Sequence, residues 1–206
     1  MARLIYRQSF FRSAKTWSRA ASLLAALCAA PAMAAETGSA LNPVKNAAAE
    51  LTITSTSFKN NEEIPIRHTC EGADVSPEVS WTGVPSRAKS LALIVDDPDA
   101  PDPAAPKKTV THWLLYNMPT KTTTLPEGVS TDELPAGTLQ GINEGQRTGY
   151  SGPCPPVGQH RYFFKLYALD AKLPDMKQPT KAALEKAIKG HVIARAELIG
   201  LYQKQR

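Results

Sequence analysis

No stretch of this chain has the roughly 20 consecutive apolar residues that a helix needs to cross a bilayer; the most apolar run, Ala20 to Ala30, spans about 11. That argues against an uncleaved membrane anchor. Histidine and cysteine are scarce, with four and three copies. There is no HExxH and no paired CxxC, so a zinc centre lacks its usual ligand spacing. An internal repeat and a heptad seam are missing too, which leaves out solenoids and coiled coils. An excess of one charge is also absent once the chain is divided. The formal net charge is +5, but Arg3, Arg7, Arg12, Lys15 and Arg19 lie in the first 34 residues, which hold no acid. Without those five, the 24 Lys and Arg fall to 19, equal to the 19 Asp and Glu. A protein that grips a nucleic-acid backbone needs a basic excess, so no nucleic-acid partner is expected.

What is present begins with a leader. Residues 1–34 have a basic n-region, the apolar run and an Ala32-Met33-Ala34 cleavage site, the layout of a secretory signal peptide. The expectation is a protein exported to the periplasm. Cys70 and Cys154 then remain as a pair in an oxidising compartment, and a disulfide between them is expected, two small buried thiols being the alternative.

The rest has globular composition, with 42% hydrophobic and 21% charged residues. Residues 35–50 are small, polar and without a period, which reads as a flexible lead-in. Residues 51–206 read as one domain. Strand-like segments run from Leu51 to Ser57, Val79 to Trp81, Leu91 to Val95, Val110 to Met118 and His160 to Leu169. Seventeen prolines and twelve glycines punctuate them, as in a β-rich domain. A helix is expected late, capped by Thr180 and running from Lys181 to Lys189, with Ala183, Leu184, Ala187 and Ile188 on its apolar face. His191 to Ala196 reads as its possible extension, and Ala196 to Tyr202 as a last strand.

Strand periodicity gathers the polar residues. Leu91, Leu93, Val95 and Asp97 share one face, as do Val110, His112, Leu114, Tyr116 and Met118. If these strands are antiparallel neighbours across the Pro-rich loop 98–109, Asp97 meets His112. In the later strand His160, Tyr162, Phe164, Leu166 and Ala168 share a face, with Arg161 on the other. The preceding segment, Gly149-Tyr-Ser-Gly-Pro-Cys-Pro-Pro156, can offer bare N–H groups to an anion while proline stiffens it. Two imidazoles, a phenol and backbone amides form a donor-lined pocket for phosphate or carboxylate. Gly149-Tyr-Ser-Gly-Pro153 lacks the final glycine of a nucleophile elbow, so Ser151 reads as a loop residue.

Asp97-Pro-Asp-Ala-Pro101, His112-Trp113, Gly152-Pro-Cys-Pro-Pro156 and His160-Arg-Tyr162, in that order, resemble the signature segments of the phosphatidylethanolamine-binding protein family, also called Raf kinase inhibitor-like proteins, in its bacterial branch. The resemblance runs from about Thr52 to Tyr202. It implies a mainly β fold with flanking helices (α+β), in which a large antiparallel sheet packs with a smaller one and a helix lies near the C-terminus. It also implies a small surface cavity for phosphate-like or carboxylate anions, built by Asp97, Asp99, His112, His160 and Tyr162, with Pro153 and Pro155 at the rim. Members of this family act mainly by binding ligands and proteins, some as kinase or protease inhibitors. A phosphorylated or carboxylate small molecule is the expected ligand and a regulated protein the alternative partner, with loop 98–109 as its surface. Contact with a membrane headgroup would be local, and no cofactor or metal is expected. Hydrolysis of phosphate or acyl esters is a weaker third reading.

Overall fold

Alternation of apolar and polar side chains, broken by proline and glycine, builds two stacked sheets and one α-helix in the computed structural model, which describes residues 50–205. The leader and nearly all of the lead-in lie outside the described residues. The strands are β1 (Thr52–Thr54), β2 (Glu62–Glu63), β3 (Val79–Thr82), β4 (Ser90–Asp97), β5 (Val110–Met118), β6 (Thr124–Leu125), β7 (Leu139–Gln140), β8 (His160–Leu169) and β9 (Val192–Tyr202), with helix α1 (Lys181–Ile188) before β9. A small antiparallel sheet has the order β1-β3-β6, and a six-stranded sheet the order β2-β9-β8-β4-β5-β7. The large sheet is antiparallel except at one edge, where the two residues of β2 run parallel to β9.

Three layers follow from which faces are apolar. Leu91, Leu93 and Val95 of β4 and Tyr162, Phe164, Leu166 and Ala168 of β8 point inward, against Ile53, Val79, Trp81 and Leu125 of the small sheet. On the opposite face Ala92, Ile94, Leu114 and Tyr116 pack against Leu184 and Ile188 of α1. Strand β4 is buried along its whole length because both faces are covered. The helix is fastened there as well: Asp96 is fully buried and takes Lys165 at 2.7 Å and Lys181 of α1 at 3.0 Å. No helix among the described residues is long and apolar enough to cross a membrane.

Two expectations about the strands need correction. The row Val110, His112, Leu114, Tyr116 and Met118 does not share one face. Between Val95↔Trp113 and Asp96↔Thr111 the β5 chain advances two residues for one on β4, leaving His112 as the extra residue of a bulge. A second register shift lies between Leu91 and Leu93, near Asn117, whose φ is +58°. Leu114 and Tyr116 therefore face α1, whereas Trp113, Leu115 and Met118 face the small sheet. The other correction concerns His191 to Ala196, which does not extend the helix. Gly190 turns the chain at φ +86°, and β9 starts at Val192 and pairs with β8 as far as Tyr202.

Candidate functional site

The bulge decides where His112 goes. Its ring turns towards β8 and meets Tyr162 edge-on, with centroids 5.2 Å apart, while Tyr162 stacks on His160 at 6.4 Å. Asp97 ends the inward row of β4, as its alternation predicts, but its carboxylate reaches His160 rather than His112. Nδ1 of His160 lies 2.7 Å from Asp97 Oδ2, and Nε2 lies 3.0 Å from the Val157 carbonyl. Both nitrogens face oxygen acceptors, so whichever of them carries hydrogen is already engaged. His160 thus has no donor left for a ligand. The second Asp97 oxygen accepts the Asp99 N–H at 2.7 Å.

Asp99 belongs to the wall by another route. Its carboxylate holds the guanidinium of Arg161 in a fork at 2.8 and 2.9 Å and also accepts the Arg161 N–H. Those bonds to Arg161 hold the Asp99 carboxyl below the usual range. Arg161 does alternate to the outer face, but it braces the site through Asp99. Periodicity assigns its face and gives no sign of that pairing.

The loop 149–156 closes the other side. His112 Nδ1–H donates to the Ser151 carbonyl at 2.6 Å, and Ser151 N–H donates back to the His112 carbonyl at 3.0 Å. Gly152 N–H is held by Asp74 at 2.6 Å, and a side chain at Gly152 would collide with the His68 carbonyl, so glycine is needed for the approach. The Pro153 carbonyl accepts the Cys70 N–H at 3.1 Å, and a disulfide joins Cys70 to Cys154 with Cα atoms 5.4 Å apart. Tyr150 is held by its hydroxyl on the His68 carbonyl at 3.0 Å, and burial pushes its phenol far up. Pro153 and Pro155 are both buried; Pro155 also borders a hollow of about 320 Å³, lined further by Pro156, Gly158, Gln203 and Lys204. Ser151, Asp74 and Arg161 are not among the expected site residues. Ser151 contributes a carbonyl, and Asp74 is 78 residues from the amide it holds, so neither leaves a local mark in the sequence.

The remaining polar atoms are the informative ones. Four buried side-chain atoms find no hydrogen-bond partner among the described residues, and two of them, His112 Nε2 and the Tyr162 hydroxyl, lie together here. Burial pushes the His112 ring towards its neutral form, more than the Ser151 bond and the Asp97 charge pull it back. Burial and the nearby Asp97 raise the Tyr162 phenol far above its ordinary value. Both free atoms are buried. Of the two other histidines, His68 is buried with its ring nitrogens on Val75 and Ser57, and His191 pairs with Asp170 on the surface.

A stacked pair of sheets with a helix on the outer face, and a buried His/Tyr/Asp cluster at one end of β4, β5 and β8, defines a β-sandwich with a polar cluster at one end. The phosphatidylethanolamine-binding protein family model matches residues 54–203, and the chain belongs to that family. It is 49% identical over 148 residues to a UPF0098 protein of Methanothermobacter thermautotrophicus, covering 71% of this chain and 95% of the relative. Among solved structures, it resembles a phosphatidylethanolamine-binding protein homologue from Chlamydia trachomatis with a TM-score of 0.69 and 40% identity, over 76% of this chain and 99% of that one. YbcL of E. coli, described as a member of the mammalian family, also gives a TM-score of 0.69, at 33% identity over 76% of this chain and all of its own.

Proposed function

We propose that this protein is an exported, periplasmic binding module that captures a phosphate-type or carboxylate anion between His112 and Tyr162, and that it works by binding rather than by catalysis. One observation carries the reading. In a cluster where Asp97, Asp99, His160 and His112 Nδ1 are all paired internally, one imidazole nitrogen and one phenol hydroxyl are buried without partners. Leaving such groups unsatisfied is costly, and a bound oxyanion relieves both at once. The family's name and the pocket chemistry support the same ligand class, a phosphorylated small molecule or a phospholipid headgroup. A proton shared between His112 Nε2 and the anion offsets the repulsion from the Asp97 carboxylate, so binding tightens as pH falls from 8 towards 6.

A titration of the histidine imidazoles by NMR with phosphate and phosphoethanolamine tests this. A saturable shift of the His112 ring that is lost in Tyr162→Phe supports it; silence of every imidazole at millimolar ligand overturns it. A second reading, regulation of a protein partner, rests on the exposed residues 103–109 in the loop that follows Asp99. Capture of one specific periplasmic protein that depends on that loop would favour it.

A further inference from the structure

Resting on that anion-binding reading, we propose that the pocket selects oxyacids that bring their own ionisable proton, phosphate monoesters above all, over phosphodiesters. The ground is the hydrogen inventory of the site. Asp97, Asp99 and His160 offer a ligand no hydrogen, since an ionised carboxylate only accepts and both ring nitrogens of His160 are already engaged. His112 commits its Nδ1–H to the Ser151 carbonyl, so on the uncharged ring Nε2 is a bare lone pair. Tyr162 supplies one O–H. The protein therefore presents one acceptor and one donor on rings 5.2 Å apart, rather than two donors.

A monoester with its second ionisation near pH ~6 can place a P–OH on Nε2 and accept the Tyr162 O–H through another oxygen. A diester has no hydrogen to give. For it, Nε2 must first draw a proton from solvent, and burial of the ring opposes that charge. The carboxylates of Asp97 and Asp96 at the end of β4, and of Asp74 behind the loop, favour the charge without outweighing burial. Tyr162 and His160 from β8, Tyr150 from the loop, Asp99 beyond β4 and Tyr202 of β9 are the other titratable groups around the ring and its partner.

Calorimetry of the full-length purified protein with phosphoethanolamine and with glycerophosphoethanolamine, between pH 5 and 8 in two buffers of different ionisation enthalpy, tests the proposal. At pH 7 the monoester is expected to bind about tenfold tighter, the factor that one unpaired buried acceptor is worth. The gap narrows towards pH 5, because the monoester levels off below its own ionisation near ~6 while the diester still gains affinity with proton uptake. In His112→Gln, whose amide can offer a hydrogen without titrating, the diester profile flattens. Tyr162→Phe removes the shared donor and weakens both ligands alike, a test that stands even where the glutamine variant does not fold. Equal affinities with equal proton uptake overturn the selectivity and leave the anion reading intact. A gap that stays constant with pH overturns it as well, since size alone would then exclude the diester. Failure of both ligands to bind overturns the anion reading itself.

Discussion

His160 and His112 both lean on Tyr162, yet their nitrogens give them different work. His160 is locked between Asp97 and Val157, so it holds the wall; Asp97→Asn leaves that buried ring without its carboxylate and is expected to cost about 3 kcal/mol or more, read from urea denaturation. His112 acts on the pH dependence of stability. Its folded form takes up a proton at lower pH than the ordinary 6.5, so between those two values the unfolded chain binds more protons. Stability without ligand therefore falls as pH drops below about 6.5. Asp99 acts further into acid. Its carboxyl is held below the ordinary 3.8 by Arg161, and the stability from that pairing is present above 3.8 and lost as pH falls through the lower folded value. Melting temperatures between pH 8 and 5 should slope downward in the native protein and flatten in His112→Gln. An unchanged slope in that variant would show that other groups set it.

Elements whose period and length agree are legible in the amino-acid sequence. Val110–Met118 and His160–Leu169 form strands at those bounds, and Thr180 caps α1 by accepting the Ala183 N–H. Thr180→Ala should lower stability by about 1 kcal/mol, measured as a shift in the urea midpoint, because it removes one cap bond while the Lys181 to Asp96 ion pair still fastens the helix. The less legible parts have physical reasons. β2, β6 and β7 are two residues each, too short for any period to show. The segment after Gly190 becomes strand because pairing with β8 along nearly its whole length outweighs local helix preference. The bulge at His112 is invisible to alternation, which assumes every residue advances the pleat by one step. Periodicity thus places Asp97 and Tyr162 on the correct faces, whereas the face of His112 depends on a register that only the paired strands define.

Across the whole molecule, the pocket loop is held from three directions: by β5 through the reciprocal bonds of Ser151 and His112, by Asp74 through Gly152, and by the turn at Cys70 through Pro153 and the disulfide. The covalent bridge spans 84 residues, so it removes much freedom from the unfolded chain, and a bridge of this kind is typically worth about 2–4 kcal/mol. The loop's hydrogen bonds, however, do not run through the sulfurs and are expected to persist when the bridge is opened. Stability and ligand affinity should therefore separate in Cys70→Ser/Cys154→Ser. The urea midpoint is expected to drop by an amount matching that range, while the affinity for phosphoethanolamine measured well below the new midpoint changes less than about threefold, because the bonds to His112 and Gly152 still set the geometry. If instead affinity collapsed while the midpoint held, the bridge would be what keeps Ser151 against His112, and the hydrogen bonds of the loop would be its consequence.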